Sequence, residues 1–348
     1  MKNLEPEKLS LNLNRAKRKV FNQCQERWIE TEYCQNSSSL PLVIKPTVDG
    51  LNLIAWASSN KEFIESNLLK HGGLLFRNFN LDGVTEFEEF IKANSTDLVE
   101  YSHRSTPRSH VSGKIYTSTE YPANQSIPLH NELSWTLSWP MKIWFFCMKS
   151  AEVGGQTPIA DSRKVYQRIN SKIKEQFMQK KVMYVRNLRN FGDGLDLPWQ
   201  NVFQTTEKSE AEDYCRQAGI EFEWIDSNHL RTRQVCQAVA THPKTGDMVW
   251  FNQAHLFHVS SVNPEVCQSL VSVFSEKDFP RNAYYGDGSE IETSVLDEIR
   301  DIYQQEAVTF PWQEGDVLML DNMLAAHGRM PYTGTRKVLV GMAELLNN

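Results

Sequence analysis

The chain lacks a basic excess: 37 Lys and Arg stand against 43 Asp and Glu, a formal net charge of −6 over 348 residues. Nucleic-acid binders carry a basic patch or stripe, so no nucleic-acid partner is expected, and an anionic membrane surface is not favoured either. Long apolar runs are missing too. No stretch approaches the ~18 apolar residues of a membrane span, and MKNLEPEKLSLNLNRAKRKV at the N-terminus has no apolar segment followed by a small-residue cleavage site. Neither a span nor a signal peptide is expected. The six cysteines (Cys24, Cys34, Cys147, Cys215, Cys236, Cys267) show no CxxC and no zinc-finger spacing. Such scatter suits reduced, structural thiols in a cytoplasmic protein. There is also no GxGxxG, no Walker loop, no GxSxG elbow and no internal repeat, which disfavours a dinucleotide fold or a P-loop enzyme.

What is present is an ordinary globular balance, 40% hydrophobic and 23% charged, with 17 Phe, 11 Tyr and 9 Trp. The length allows a large buried core, and one main domain is the simplest division. Residues 1–40 read as an N-terminal arm, polar and helix-prone to about Glu32 and broken by the tract Gln35 to Ser39. Residues 41–348 read as the domain proper. Helical spacing of apolar residues predicts a helix over Ser59 to Leu69 and another from about Val84, with the short apolar strand Leu74 to Phe76 between them. From about Gly113 the chain turns to short β-rich runs: Lys114 to Thr119, Met141 to Met148, Val182 to Val185, Gln237 to His242, Met248 to Asn252, Asp316 to Asp321 and Arg336 to Glu344. Insertions with helical stretches separate them, around Lys208 to Gly219 and Arg281 to Gln305. The fold class is therefore α+β, on a β-sandwich or jelly roll with flanking helices and helical insertions.

The sharpest local feature is Ile127-Pro128-Leu129-His130-Asn131-Glu132-Leu133. At i and i+2 of an extended segment, His130 and Glu132 point to one side and can give two cis ligands to a divalent metal. A third ligand must come from elsewhere, and His327 is the candidate, in Ala325-Ala326-His327-Gly328-Arg329 after an apolar strand. Two His and one carboxylate leave three coordination positions open, as in non-haem Fe(II) oxygenases. An HxE pair alone is common; its company decides. Gly154-Gly155 permits a tight turn, after which Thr157 enters a strand with a hydroxyl available. Arg336 opens the strand after Pro331-Tyr332-Thr333-Gly334, where a planar guanidinium suits a carboxylate. Read by themselves, Arg336 is equally a surface residue and Thr157 a satisfied turn.

HNE with a later His, GGxT and a C-terminal HGRxPYxGxR together resemble the taurine dioxygenase-like and clavaminate synthase-like Fe(II)/2-oxoglutarate oxygenases. The likeness spans roughly residues 70 to 344. The runs TSTEYP (Thr117 to Pro122), WPMKIWFFC (Trp139 to Cys147) and VWFNQAHLFH (Val249 to His258) look closest to amino-acid hydroxylases of non-ribosomal peptide pathways. The resemblance implies a double-stranded β-helix (jelly roll) core. It implies His130, Glu132 and His327 as iron ligands, and Thr157 and Arg336 as the grip on the distal carboxylate of 2-oxoglutarate, with O2 as the other cosubstrate. A carboxylate among the ligands disfavours a halogenase.

The implied reaction converts 2-oxoglutarate to succinate and CO2 while hydroxylating an unactivated C–H bond of an amino acid, free or tethered to a carrier protein. Desaturation or ring closure on a small amine-containing acid is the alternative within the same chemistry, and a non-catalytic jelly-roll binding protein the alternative outside it. For the substrate, Asn252 and the arginines Arg104, Arg108, Arg163 and Arg329 are candidates, with Trp135, Trp139 and Phe251 as a pocket lining. His255 and His258, at i and i+3 without a nearby carboxylate, read as packed side chains. Cys147 sits in an apolar run unsuited to a reactive thiolate. A dianionic cosubstrate in a chain of net −6 requires a locally positive pocket, to which iron and Arg336 would contribute.

Overall fold

A computed structural model of the chain describes residues 28–35, 38–100, 109–119, 121–189 and 196–347. Arg104, Arg108 and the first 27 residues lie outside the described residues. The frame is an eight-stranded, mostly antiparallel sheet in the order Ile29–Gln35, Ser38–Pro46, Gly73–Phe76, Val317–Asp321, Ser138–Lys149, Lys337–Asn347, Ile115–Thr117 and His110–Ser112. Its central strands are near-continuous apolar runs because both faces are covered, and the period of two sorts their side chains. From Ser138–Lys149, Trp144 and Phe146 go to one face while Ile143, Phe145 and Cys147 go to the other. In Val317–Asp321, Val317 and Met319 part from Leu318 and Leu320 in the same way.

The helices Leu53–Ser59, Lys61–His71 and Gly83–Asn94 cover the first face. Phe87, Phe90 and Ile91 at helical spacing are fully buried there, each burial contributing about 1.5–3 kcal/mol. The second face packs on a three-stranded sheet in the order Ile127–His130, Ala325–Arg329, Ile159–Asp161, with Phe310 and Trp312 filling the interface. A four-stranded sheet (Glu221–Trp224, Leu230–Cys236, Val182–Leu188, Arg281–Tyr285) stands beside them and carries the largest core cluster with the helix Thr293–Glu306.

Two expectations change here. The end of the helical arm is a hairpin: Ile29–Gln35 pairs antiparallel with Ser38–Pro46 and both join the main sheet, so the strand runs across the expected boundary at residue 40. At an edge, its side chains from Glu30 to Tyr33 are all exposed, so no buried stripe marks it. The insertion starting at Arg281 opens with the strand Arg281–Tyr285 before its helix. Among the described residues, no helix is long and apolar enough to cross a membrane.

Candidate metal centre

His130 and His327 face each other as cross-strand partners, His130 ending Ile127–His130 and His327 in the middle of Ala325–Arg329. Their rings lie 4.6 Å apart at 47°, and the Phe145 ring, 4.9 Å from His327, backs the pair. The strands approach this closely because of the glycine after the histidine: a Cβ on Gly328 would stand 2.5 Å from the Ile127 carbonyl. A His130 ring bond, Nδ1 to the Pro128 carbonyl at 2.8 Å, directs Nε2 toward the centre.

Glu132 arrives by a different route from the one its spacing suggested. The strand stops at His130, and Glu132 sits in the turn that follows. Asn322 fixes that turn: its Oδ1 accepts the Glu132 N–H at 2.7 Å and its Nδ2 donates to the Glu132 carbonyl at 2.8 Å. Asn131 ties the same turn to the Asn322 carbonyl at 2.6 Å and to Ser162 Oγ at 3.0 Å. The turn forces Leu133 to φ +56°, a conformation rare for a bulky residue, which these bonds hold in place. Glu132 Oε2 then stands 3.8 Å from His327 Nε2, and one donor atom from each of the three residues lies within 4.8 Å of the others. Two imidazoles and a carboxylate, all three converging on one point, fit a divalent transition metal with an open face.

Thr157 and Arg336 line the same cavity as His130 and His327, together with Ser118, Ile127, Phe145 and Arg329. Thr157 lies in the loop before Ile159–Asp161 and not in a strand; it is buried, and Trp312 Nε1 donates to its hydroxyl at 3.1 Å. Arg336 donates from Nε to the Gly155 carbonyl at 2.9 Å and from Nη1 to Ser118 Oγ at 3.3 Å. Gly155 has φ +72°, and an added Cβ would lie 3.0 Å from Arg336 Cδ, so the second glycine of the GG pair makes room for the arginine. Burial first, then the nearby Arg329 cation, push the Arg336 guanidinium down to about 10. It remains a cation at neutral pH, aimed into a cavity with no carboxylate bonded to it among the described residues.

The substrate candidates fare differently. Arg329 lines the cavity, but Nη1 donates to the Tyr121 carbonyl at 2.8 Å and Nη2 to those of Pro122 and Gln125 at 2.7 Å each, so it fastens the 121–125 segment. Arg163 is committed to Asp161, with Nε and Nη2 on its two oxygens at 2.8–3.2 Å. Asn252 is buried, and its amide donates to the Ala238 carbonyl and accepts from the Ala254 N–H, so it braces the backbone on either side of the 250–254 run. Trp135 is buried between the Arg186 guanidinium at 5.2 Å and the Phe257 ring at 5.2 Å. Trp139 and Phe251 pack on each other within the core, so the aromatic lining of the cavity is Phe145 instead. His255 is buried, bonded through Nε2 to the Leu129 carbonyl and stacked on Tyr303, and burial holds it down at about 4. Cys147 is pushed up to about 12 by burial, as an inert thiol.

Residues 36–343 match the family described as taurine catabolism dioxygenase TauD, TfdA family. The chain belongs to the TauD/TfdA dioxygenase family. It is 41% identical over 281 residues to the dapdiamide synthesis protein DdaC of Enterobacter agglomerans, covering 81% of this chain and 84% of that one. A clavaminate synthase-like protein of Arabidopsis thaliana is 28% identical over 329 residues, 88% of this chain and 94% of the other. Among solved structures, PvcB of Pseudomonas aeruginosa superposes with a TM-score of 0.54 at 13% identity, covering 91% of each chain, a likeness of fold alone. The TauD/TfdA chain is thus a dioxygenase, using Fe(II) with 2-oxoglutarate and O2 as cosubstrates.

Proposed function

We propose that the protein hydroxylates an unactivated C–H bond of an amino acid, free or carrier-tethered, in a biosynthetic pathway, with His130, Glu132 and His327 as its iron ligands. The observation that carries this reading is the convergence of three donors beside a cavity also lined by a buried hydroxyl, Thr157, and by a guanidinium, Arg336, with no carboxylate partner among the described residues. Thr157 and Arg336 bind the distal carboxylate of 2-oxoglutarate and orient it, a dianion in a site desolvated enough to strengthen each charge-assisted bond. Iron, when bound, supplies the activation of O2 that couples decarboxylation of the cosubstrate to oxidation of the substrate. His130 is held in one tautomer by the Pro128 carbonyl, and Asn322 fixes the backbone from which the Glu132 side chain projects. The main and three-stranded sheets facing each other support a double-stranded β-helix as the frame. The similarity to a dapdiamide synthesis protein supports a biosynthetic substrate.

Incubation with Fe(II), 2-oxoglutarate, O2 and a panel of amino acids tests this: substrate-dependent succinate with a product heavier by one oxygen is expected. A product lighter by two hydrogens would instead establish desaturation or ring closure. Absence of an Fe(II)–2-oxoglutarate charge-transfer band in the wild-type protein, or its persistence unchanged in His327→Ala, would overturn the ligand assignment.

A further inference from the structure

The four-stranded sheet beside the metal centre carries a charge arrangement that its own fold does not explain. Arg186 and Arg281 are directly opposite each other on paired antiparallel strands, so their side chains share one face. Like charges in that position are destabilising unless something compensates them. One carboxylate is at hand, Asp196, and Arg186 takes it: Nε donates to Oδ2 at 3.0 Å and Nη2 to Oδ1 at 2.6 Å, with the Leu197 N–H on Oδ1 at 2.7 Å. Arg281 is left with a cation and no hydrogen bond or ion pair from its side chain among the described residues. Its guanidinium lies over the Phe257 ring at 5.3 Å, partly accessible to solvent; burial lowers its pKa, while the Asp196 carboxylate acts the other way from beyond ion-pair distance.

This face looks toward the metal centre. Tyr184, two residues before Arg186, accepts the Gln253 N–H, and Gln253 Nε2 donates to the carbonyl of Asn131, next to Glu132. Trp135, in the same turn as Glu132, stacks against both Arg186 and Phe257. Tyr121 joins the two regions: its carbonyl accepts from Arg329, and its phenol acts electrostatically on both Arg329 and Arg281. With Arg163 and Arg329 committed elsewhere, Arg281 is the described cation near the centre, outside the cosubstrate pocket, whose hydrogen-bonding directions remain open.

We propose that Arg281 binds a carboxylate of the substrate, over the Phe257 ring. The proposal rests on the oxygenase reading above and narrows its substrate class.

The test is 2-oxoglutarate consumption by the wild type, Arg281→Gln and Arg281→Lys, with a panel of free L-amino acids and the methyl esters of the same compounds. The visible Fe(II)–2-oxoglutarate band is recorded for each protein. The wild type should turn over a free acid and not its ester. Arg281→Gln should raise the KM for that acid by about 10- to 100-fold, the loss of a charged hydrogen-bond pair, and Arg281→Lys should recover part of it. Equal turnover of acid and ester, an unchanged KM in Arg281→Gln, or a panel in which no free acid stimulates consumption overturns the assignment. So does a weakened 2-oxoglutarate band in Arg281→Gln, which would place the residue with the cosubstrate. Loss of the band in the wild type is a separate failure, of the oxygenase reading itself.

Discussion

The metal centre and the four-stranded sheet next to it each hold a pair of arginines close together, and the pairs are satisfied in opposite ways. In the metal centre neither Arg329 nor Arg336 has a carboxylate partner among the described residues; carbonyls and one hydroxyl take their N–H groups. On the sheet, Arg186 has a buried, bidentate carboxylate while Arg281 has none. Elsewhere the chain pairs such cations routinely, as in Arg77 with Asp316, where Nη2 meets Oδ2 at 2.7 Å. Since an isolated buried charge is costly, a guanidinium that the fold leaves without an anion, facing a cavity or a ring, marks where a ligand's anion goes. On the proposed reading Arg336 answers to the cosubstrate and Arg281 to the substrate, while Arg329 and Arg186 are taken up by bonds within the protein.

Substitutions can break that division, and their effects should fall in order. Removing a proposed ligand, His327→Ala, should abolish the Fe(II)–2-oxoglutarate band and lower turnover by at least about a thousandfold, because no activation remains without iron. Arg336→Gln should keep iron bound but weaken 2-oxoglutarate by about 100-fold, read as KM for the cosubstrate, while the KM for substrate moves little. Asn322→Ala should release the Glu132 turn. Fe(II) affinity should drop by about 10-fold or more, and stability by about 1–3 kcal/mol, measured by metal titration and by urea unfolding. Arg163→Ala is the control: its loss should cost about 1–2 kcal/mol of stability and leave both KM values unchanged, since the arginine serves Asp161 and not the cavity.

The same two regions differ in how far the sequence reveals them. The metal centre is written in short motifs of unusual residue types, so His130, Glu132, His327, Thr157 and Arg336 could be named from spacing and likeness, and the structure gathers all five around one cavity or its rim. The apolar central strands were equally legible because both faces are buried. What the motifs hid is support: Asn322 lies in the run before His327, yet nothing in that run says that its amide clamps a peptide from a distant turn. Arg281 was hidden for a related reason. Its significance is that no hydrogen bond or ion pair takes its side chain among the described residues, and Arg186 and Asp196 become relevant only once the strands are in register. The hairpin at Ile29–Gln35 escaped because an exposed edge strand has no buried stripe, and Thr157 fell outside its expected strand because pairing resumes only at Ile159.

The most direct test of the division is a titration of 2-oxoglutarate into the anaerobic Fe(II) protein, followed by the visible charge-transfer band, for the wild type, Arg336→Gln and Arg281→Gln. The geometry predicts that Arg336→Gln shifts the midpoint upward by about 100-fold while Arg281→Gln leaves it in place. Equal shifts in the two variants, or a shift in Arg281→Gln alone, would contradict it.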